Sequence, residues 1–300
     1  MKKKVMKEST AWQIGAHTVM IIGSLLAILP FILLVIASFT DNQTALVNGY
    51  SFTPEKWSLE AYQYIASEWA TIGRAYLMTI LVTVIGTALS LVITSTFAFA
   101  VSNDKLPGHK ILMFLCIFTM LFNGGLVASY YVYSNIFHIK NTIWALIVPT
   151  FLMSPFNVVL VKNYFSNSIS PSILEAARMD GAGVFAVFTK IVMPLSVPIM
   201  ATVGLMTAIG YWNDWTNGLY YLTENGGAQY YTIQLVLNRI NENINFLANN
   251  SDVAAKAAQQ LPSTTMRMAI AVIGILPIMC AYPFFQKYFV KGITLGGVKE

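Results

Sequence analysis

Six stretches of this chain carry no charged side chain: 18–39, 75–102, 111–133, 141–161, 193–212 and 268–286. Each is long enough to cross a bilayer core, which takes about 20 helical residues. In lipid every backbone amide needs an internal partner, so such runs fold as helices. A content of 56% hydrophobic and 10% charged residues excludes an ordinary soluble domain. The expected fold is therefore an all-α membrane protein with six transmembrane helices, built as a 1–17 cytoplasmic segment, an 18–286 membrane domain and a 287–300 cytoplasmic tail. The lysines at 2, 3, 4 and 7 ahead of an apolar run also describe a signal peptide. Here the run is too long, contains Pro30 and is followed by no small-x-small site, so it reads as the first span.

Basic residues set the orientation. With the amino terminus inside, twelve fall on inner segments and six, Lys56, Arg74, Lys140, Arg239, Lys256 and Arg267, on outer ones. The acids lean the other way, five inside and eight outside. The positive-inside rule thus predicts cytoplasmic termini in a bacterial cell membrane. It also explains the net charge of +5 without nucleic acid.

Several functions are excluded. Charge-free spans leave no proton relay and no gating charges in the membrane. There is no G-x-x-x-x-G-K-[ST] run to bind ATP, and no nucleophile–base or metal-ligand constellation. Cys116 and Cys280 lie inside apolar runs, and His17, His109 and His138 are scattered. The expectation is a translocation subunit, not an enzyme, that carries no cofactor and takes its energy from a partner.

Between the fourth and fifth spans, 170–194 is a short charged island. Ser172 with Glu175 three residues on reads as a capping box, and Pro171 stiffens the entry. The helix then ends at Gly181, which can take a left-handed backbone, and a second helix resumes at Val184. Glu175-Ala176-Ala177, Gly181, Ile191 and Met193-Pro194 resemble the EAA loop of ABC-importer permeases, written EAA-x3-G-x9-I-x-L-P, with Met193 in place of leucine. That resemblance implies an ABC-permease fold in which this loop is a coupling helix docked in a groove of a separate ATPase. Ala176 and Ala177 would allow close approach, while Glu175, Arg178 and Asp180 would supply polar anchors. Gly181 and Pro194 complete the motif. It further implies a second homologous permease, two ATPase subunits holding ATP and Mg, and an extracellular solute-binding (lipo)protein.

The fifth span ends in Tyr211-Trp212-Asn213-Asp214-Trp215, followed by Asn217, Tyr220 and Tyr221. Flat rings beside an amide and a carboxylate suit sugars. They also suit an aromatic belt at the outer interface, and both readings stand. Asn123 and Asn157 lie inside spans, where an amide faces a cavity or a partner helix. Substrate-pathway candidates are Asn123, Trp212, Asn213, Asp214 and Trp215. The carboxyl end, Phe289-Val290-Lys291-Gly292-Ile293-Thr294 with Gly296, Val298 and Lys299, resembles the tail of carbohydrate ABC permeases of the maltose-system branch. With the Trp-Asn-Asp-Trp run it is most similar to the sub-branch serving complex oligosaccharides, of polygalacturonan and lipoprotein-linked type. The implied function is import of an oligosaccharide. The alternatives are a stand-alone channel or secondary carrier, or an ABC permease for a non-sugar solute.

Overall fold

Residues 10–248 and 264–297 are described in the computed structural model. The lysines at 2–7 and the last three residues of the tail lie outside the described residues. Regular structure within them is helical, with one isolated bridge between Thr40 and Trp57. The chain divides into two units, 1–68 with 240–275 and 69–239 with 276–300.

In the first unit α1, Thr10–Ser38, is a 29-residue helix that carries Pro30 without breaking. An 18-residue stretch of it has a mean hydropathy of 3.0 and no buried side chain, which suits a lipid environment. It stops where Ser38 Oγ shares a hydrogen bond with Tyr62 Oη, 2.8 Å away, and Phe39 stacks on Tyr62. Asp41 then accepts from the Thr44 amide to start α2, Asn42–Asn48, and pairs with Lys56 at 3.0 Å. The segment after Ser58 forms a short helix, α3, Glu60–Ser67.

In the second unit α4, Trp69–Val101, runs 33 residues, about 50 Å at 1.5 Å per residue. Between Ile72 and Val101 its buried face is mostly small or hydroxylated, with Thr79, Gly86, Ser90, Thr94, Ser95 and Ala98 beside the larger Val82. Lipid is as apolar as leucine, so helices in it associate by close packing, and small residues permit that. The neighbours packed on α4 are chiefly the helices over 155–168 and 197–213.

Three expected spans are broken, each where the sequence carries a breaker. The third divides at Asn123-Gly124-Gly125 into α5, His109–Leu121, and α6, Gly125–Tyr131, which a π turn extends over Val132–Ile136. The two segments meet at 119°, with Gly125 at φ +81°. The fourth, expected as 141–161, is instead α7, Trp144–Ile147, a non-helical stretch over 148–154, and α8, Pro155–Ser168. Proline is tolerated at the first turn of a helix but not in its interior, so Pro155 starts α8 rather than interrupting a span.

Non-helical backbone at membrane depth needs partners, and side chains from three other helices provide them. Tyr211 Oη donates to the Ile147 carbonyl (2.8 Å), Tyr133 Oη to that of Pro149 (3.5 Å) and Ser90 Oγ to that of Phe151 (3.0 Å).

The fifth span, expected to begin at Met193, is corrected too. After α9, Pro171–Met179, come α10, Val184–Val187, a π turn over Phe188–Val192, and α11, Met193–Leu195. A break at Ser196 then bends the chain by 79° into α12, Val197–Asn213. Pro198 removes an amide that would have bonded across this turn to the Pro194 carbonyl.

Beyond it lie α13, Thr216–Tyr221, α14, Glu224–Gly227, α15, Ile233–Ala248, and α16, Thr264–Gly297. The helix α16 continues through Pro277 and Pro283 and takes in most of the expected tail. Among the described residues, two helices are long and apolar enough to cross a membrane unaided, or four if each bent pair is one span.

Two apolar clusters hold the second unit together. One gathers Ala98, Cys116, Val158, Phe165, Val192 and Val203 near the 170–194 corner. The other gathers Val82, Leu146, Ile147, Tyr211, Leu222 and Leu235 near the opposite ends of α4 and α12. Between them Asn157 Nδ2 donates to Thr207 Oγ1, 3.2 Å away, so this amide joins two helices.

Candidate functional site

Two places combine exposed polar chemistry with a built cavity. The first is the corner at α9. Its N-cap is Ser170, with Pro171 at the first helical position. The expected capping box of Ser172 and Glu175 is not formed, because proline's fixed φ starts the helix before Ser172. Ser172 Oγ lies instead 2.7 Å from Ser170 Oγ.

The other end follows the sequence closely. The Asp180 amide donates to Ala176, Gly181 to Arg178 and Ala182 to Ala177, and Gly181 sits at φ +82°. A Cβ on Gly181 would meet nothing within 4 Å. The glycine is thus required by backbone conformation and not by space.

The faces of α9 divide cleanly. Leu174, Ala177 and Ala182 pack on the neighbouring apolar cluster. Ala176, Glu175, Arg178 and Asp180 are exposed. So are Ile173, Met179 at 88%, Val184 and Phe185. Only one of the two alanines therefore faces outward. Glu175 and Arg178, together with Asp104 and Lys105 from the turn after α4, line a 270 Å³ hollow. Pro194 stands apart from this surface, in α11 just before the 79° bend.

The second place is a cavity of 690 Å³ where the broken helices meet. Asn123 and Gly125 at the α5–α6 bend line it, as do Ser129 and Tyr133, Thr150 from the stretch before α8, and Asn217, Tyr220 and Tyr221 of α13. No lining side chain carries a formal charge. Thr150 Oγ1 donates to Asn217 Oδ1 across the wall (3.1 Å), and the Tyr133 ring meets that of Tyr221 edge-on at 6.0 Å. Hydroxyls, amides and ring faces in one hollow can bind a polyhydroxylated solute.

The five pathway candidates are not brought together. Asn123 lines the cavity, with its Oδ1 accepting from the Gly125 amide (2.9 Å). Asp214 lies behind the wall, where its Oδ1 accepts from the Thr216 and Asn217 amides at the start of α13 and its Oδ2 from Asn217 Nδ2 (2.7 Å). Burial pushes its carboxyl above the usual range, and the hydrogen bonds from Asn217 and Thr216 pull it back. Asn213 Nδ2 donates to the Ile209 carbonyl, and its Oδ1 accepts from Gln234. Trp212 is buried against Tyr76 and faces a separate apolar cavity of 500 Å³ beside α4 and Pro277. Trp215 is 38% exposed.

Thr150, Ser129 and Tyr133 escaped the sequence reading. The signal for them was the pair of interruptions, at Asn123-Gly124-Gly125 and between Pro149 and Pro155, since broken membrane helices border cavities.

The comparisons agree with this architecture. The chain is 36% identical over 276 residues, 92% of its length and 94% of the relative's, to the polygalacturonan/rhamnogalacturonan transport system permease protein YtcP of Bacillus subtilis. It is 34% identical over 274 residues to Protein LplC of the same organism, covering 91% and 90% of the two chains. Among solved structures, it superposes with a TM-score of 0.78 and 27% identity on a chain of a bacterial ABC transporter involved in the import of the acidic polysaccharide alginate, over 94% of this chain and 99% of that one. Residues 13–295 match the model of the binding-protein-dependent transport system inner membrane component. With that match and these relatives, the chain belongs to the family of binding-protein-dependent transport system inner membrane components.

Proposed function

We propose that this chain is the transmembrane subunit of an ATP-driven ABC importer and that it forms the pathway for an oligosaccharide handed over by an extracellular binding protein. The observation that carries the reading is the uncharged 690 Å³ cavity of tyrosine, asparagine and hydroxyl side chains at the meeting of broken helices. The relatives add support, since the names of two refer to polygalacturonan/rhamnogalacturonan and to alginate. Family membership removes the stand-alone channel or secondary carrier.

In this reading the chain crosses the membrane six times, with both termini and the α9 corner in the cytoplasm, as the distribution of basic residues indicates. A second homologous permease, two ATPases holding ATP and Mg, and the binding protein complete the complex. The exposed surface of α9, with Glu175, Ala176, Arg178, Asp180 and the apolar Met179 and Phe185, docks on the ATPase, while Ala177, Gly181 and Pro194 shape the corner behind it. The sugar touches Asn123, Asn217, Tyr220 and Tyr221. Asp214 positions Asn217, and Trp212, Asn213 and Trp215 flank the route.

The test is uptake by the reconstituted complex, normalised to assembled importer. Tyr220→Ala and Asn217→Ala are expected to lower uptake about fivefold or more, the equivalent of about 1 kcal/mol for a ring or amide contact. The Asp214→Ala, Trp215→Ala double variant should fall with them. Wild-type uptake in all three would remove the cavity from the pathway.

A further inference from the structure

Lys140 is held in place by strained backbone. His138 and Asn141, on either side of it, have φ of +53° and +57°. Non-glycine residues take such angles seldom and at a cost, and they persist where the surroundings fix them. Here the Ile139 amide donates to the Tyr133 carbonyl (3.1 Å) and the Asn141 amide to that of Tyr221 (3.0 Å). Asn141 Oδ1 accepts from the Thr223 amide (2.7 Å). The segment is thus pinned to two cavity-lining residues, Tyr133 and Tyr221.

What it presents is a cation. Lys140 Nζ donates to Tyr130 Oη (2.7 Å) and lies 5.3 Å from the centre of that ring. The Tyr130 ring is stacked on Tyr221 at 5.8 Å and 11°, so the ammonium sits at the hydroxyl edge of the ring that backs the cavity-lining Tyr221. No carboxylate pairs with it among the described residues, whereas Arg239 is paired with Glu224 at 2.8 Å. Asp214, the acid behind the same wall, has both oxygens engaged by α13. The hollow is therefore walled by neutral donors, with the Asp214 carboxylate tied to α13 on one side and, on the Tyr221 side, a cation that has no carboxylate in ion-pair contact among the described residues. An anion entering a desolvated site needs such a charge near it, and low-dielectric walls extend its reach.

We propose that Lys140 makes this cavity selective for anionic sugars, so that the substrate class is an oligosaccharide bearing uronate carboxylates and Lys140 is the residue that favours it over a neutral one. The inference rests on the oligosaccharide reading above and adds charge to it.

The test uses the complete importer with its ATPases and binding protein in proteoliposomes. The probes are tri-galacturonate and tri-mannuronate, each beside its methyl ester, which keeps the sugar skeleton and removes the charge. The binding protein is the same in every assay, so the change in acid-to-ester uptake ratio between variants isolates the permease. Lys140→Gln is expected to lower that ratio about tenfold, a modest Coulomb effect for a charge about 10 Å away in a partly desolvated site. Lys140→Glu lowers it further, and Lys140→Arg keeps it near wild type. Acid uptake by the wild type also falls more steeply with salt than ester uptake does.

An unchanged ratio in Lys140→Gln overturns the inference, as does a wild type that imports only the esters. Both leave the oligosaccharide reading standing. An assembled complex that imports neither acid nor ester overturns both. If Lys140→Gln does not assemble, equal salt dependence of acid and ester uptake in the wild type overturns the inference in its place.

Discussion

Gly86 and Tyr211 show how tightly a single position can be set in this chain. A Cβ built on Gly86 would lie 2.6–2.9 Å from three atoms of the Tyr211 ring. The ring has nowhere to go, since its hydroxyl is bonded to the Ile147 carbonyl at 2.8 Å and Phe151 packs against it at 5.2 Å. Gly86→Ala should therefore destabilise the permease by about 1–3 kcal/mol, the usual cost of overpacking. Tyr211→Phe, which orphans a buried carbonyl, should cost about 1–2 kcal/mol. Both are read from the unfolding midpoint in detergent. Gly86→Ala with Tyr211→Leu should cost less than the sum of the single changes, because the two positions touch; strict additivity would show that the ring is not the obstacle. In the sequence Tyr211 stood at the head of an aromatic run that suited a sugar site or an interfacial belt. It serves neither: it is 1% exposed and fastens α12 to α7. A run of rings at a helix end does not reveal which of them turns inward, because that depends on a glycine 125 positions earlier in the chain.

The broken elements are the larger lesson of the fold. Each break was legible as a breaker residue: Asn123-Gly124-Gly125, Pro149 with Pro155, and Pro194 with Pro198. The size of each bend was not, because it depends on partners from elsewhere in the chain. The 148–154 stretch survives because Ser90, Tyr133 and Tyr211 bring hydroxyls to the carbonyls of 151, 149 and 147. Removing one donor leaves a carbonyl without a partner in a setting where water is scarce. Ser90→Ala and Tyr133→Phe should each cost about 1–3 kcal/mol. They should also speed amide hydrogen exchange over 148–154 while leaving α4 protected. Uniform exchange across both segments would mean that the hydroxyls do not support the break. The helix α9 was the best-read element: its left-handed glycine lies where the sequence put it. Its start was misplaced by two residues, since Pro171 outweighs a capping pair.

At the scale of the whole molecule the question is which side each end of the second unit faces and what meets it. With Cys116→Ala and Cys280→Ala as background, a cysteine at Ser172 should react with an impermeant thiol reagent from the cytoplasmic side alone. Bound ATPase should slow that reaction about tenfold, since Ser172 is exposed in the first turn of α9. Reaction from outside would overturn the membrane orientation, and equal rates with and without ATPase would overturn the docking. The corner behind this helix has a mechanical consequence. Only Asp180 to Gly183 separate the end of α9 from the start of α10, and the Ala182 amide is tied back to Ala177 at 2.9 Å. So short a joint, already hydrogen-bonded to the helix it leaves, contains little slack. A tilt imposed on α9 is transmitted along the chain as torque instead of being dissipated as local bending. The chain next changes direction at the 79° bend at Ser196, at the foot of the helix that leads to Asn217 and Tyr221.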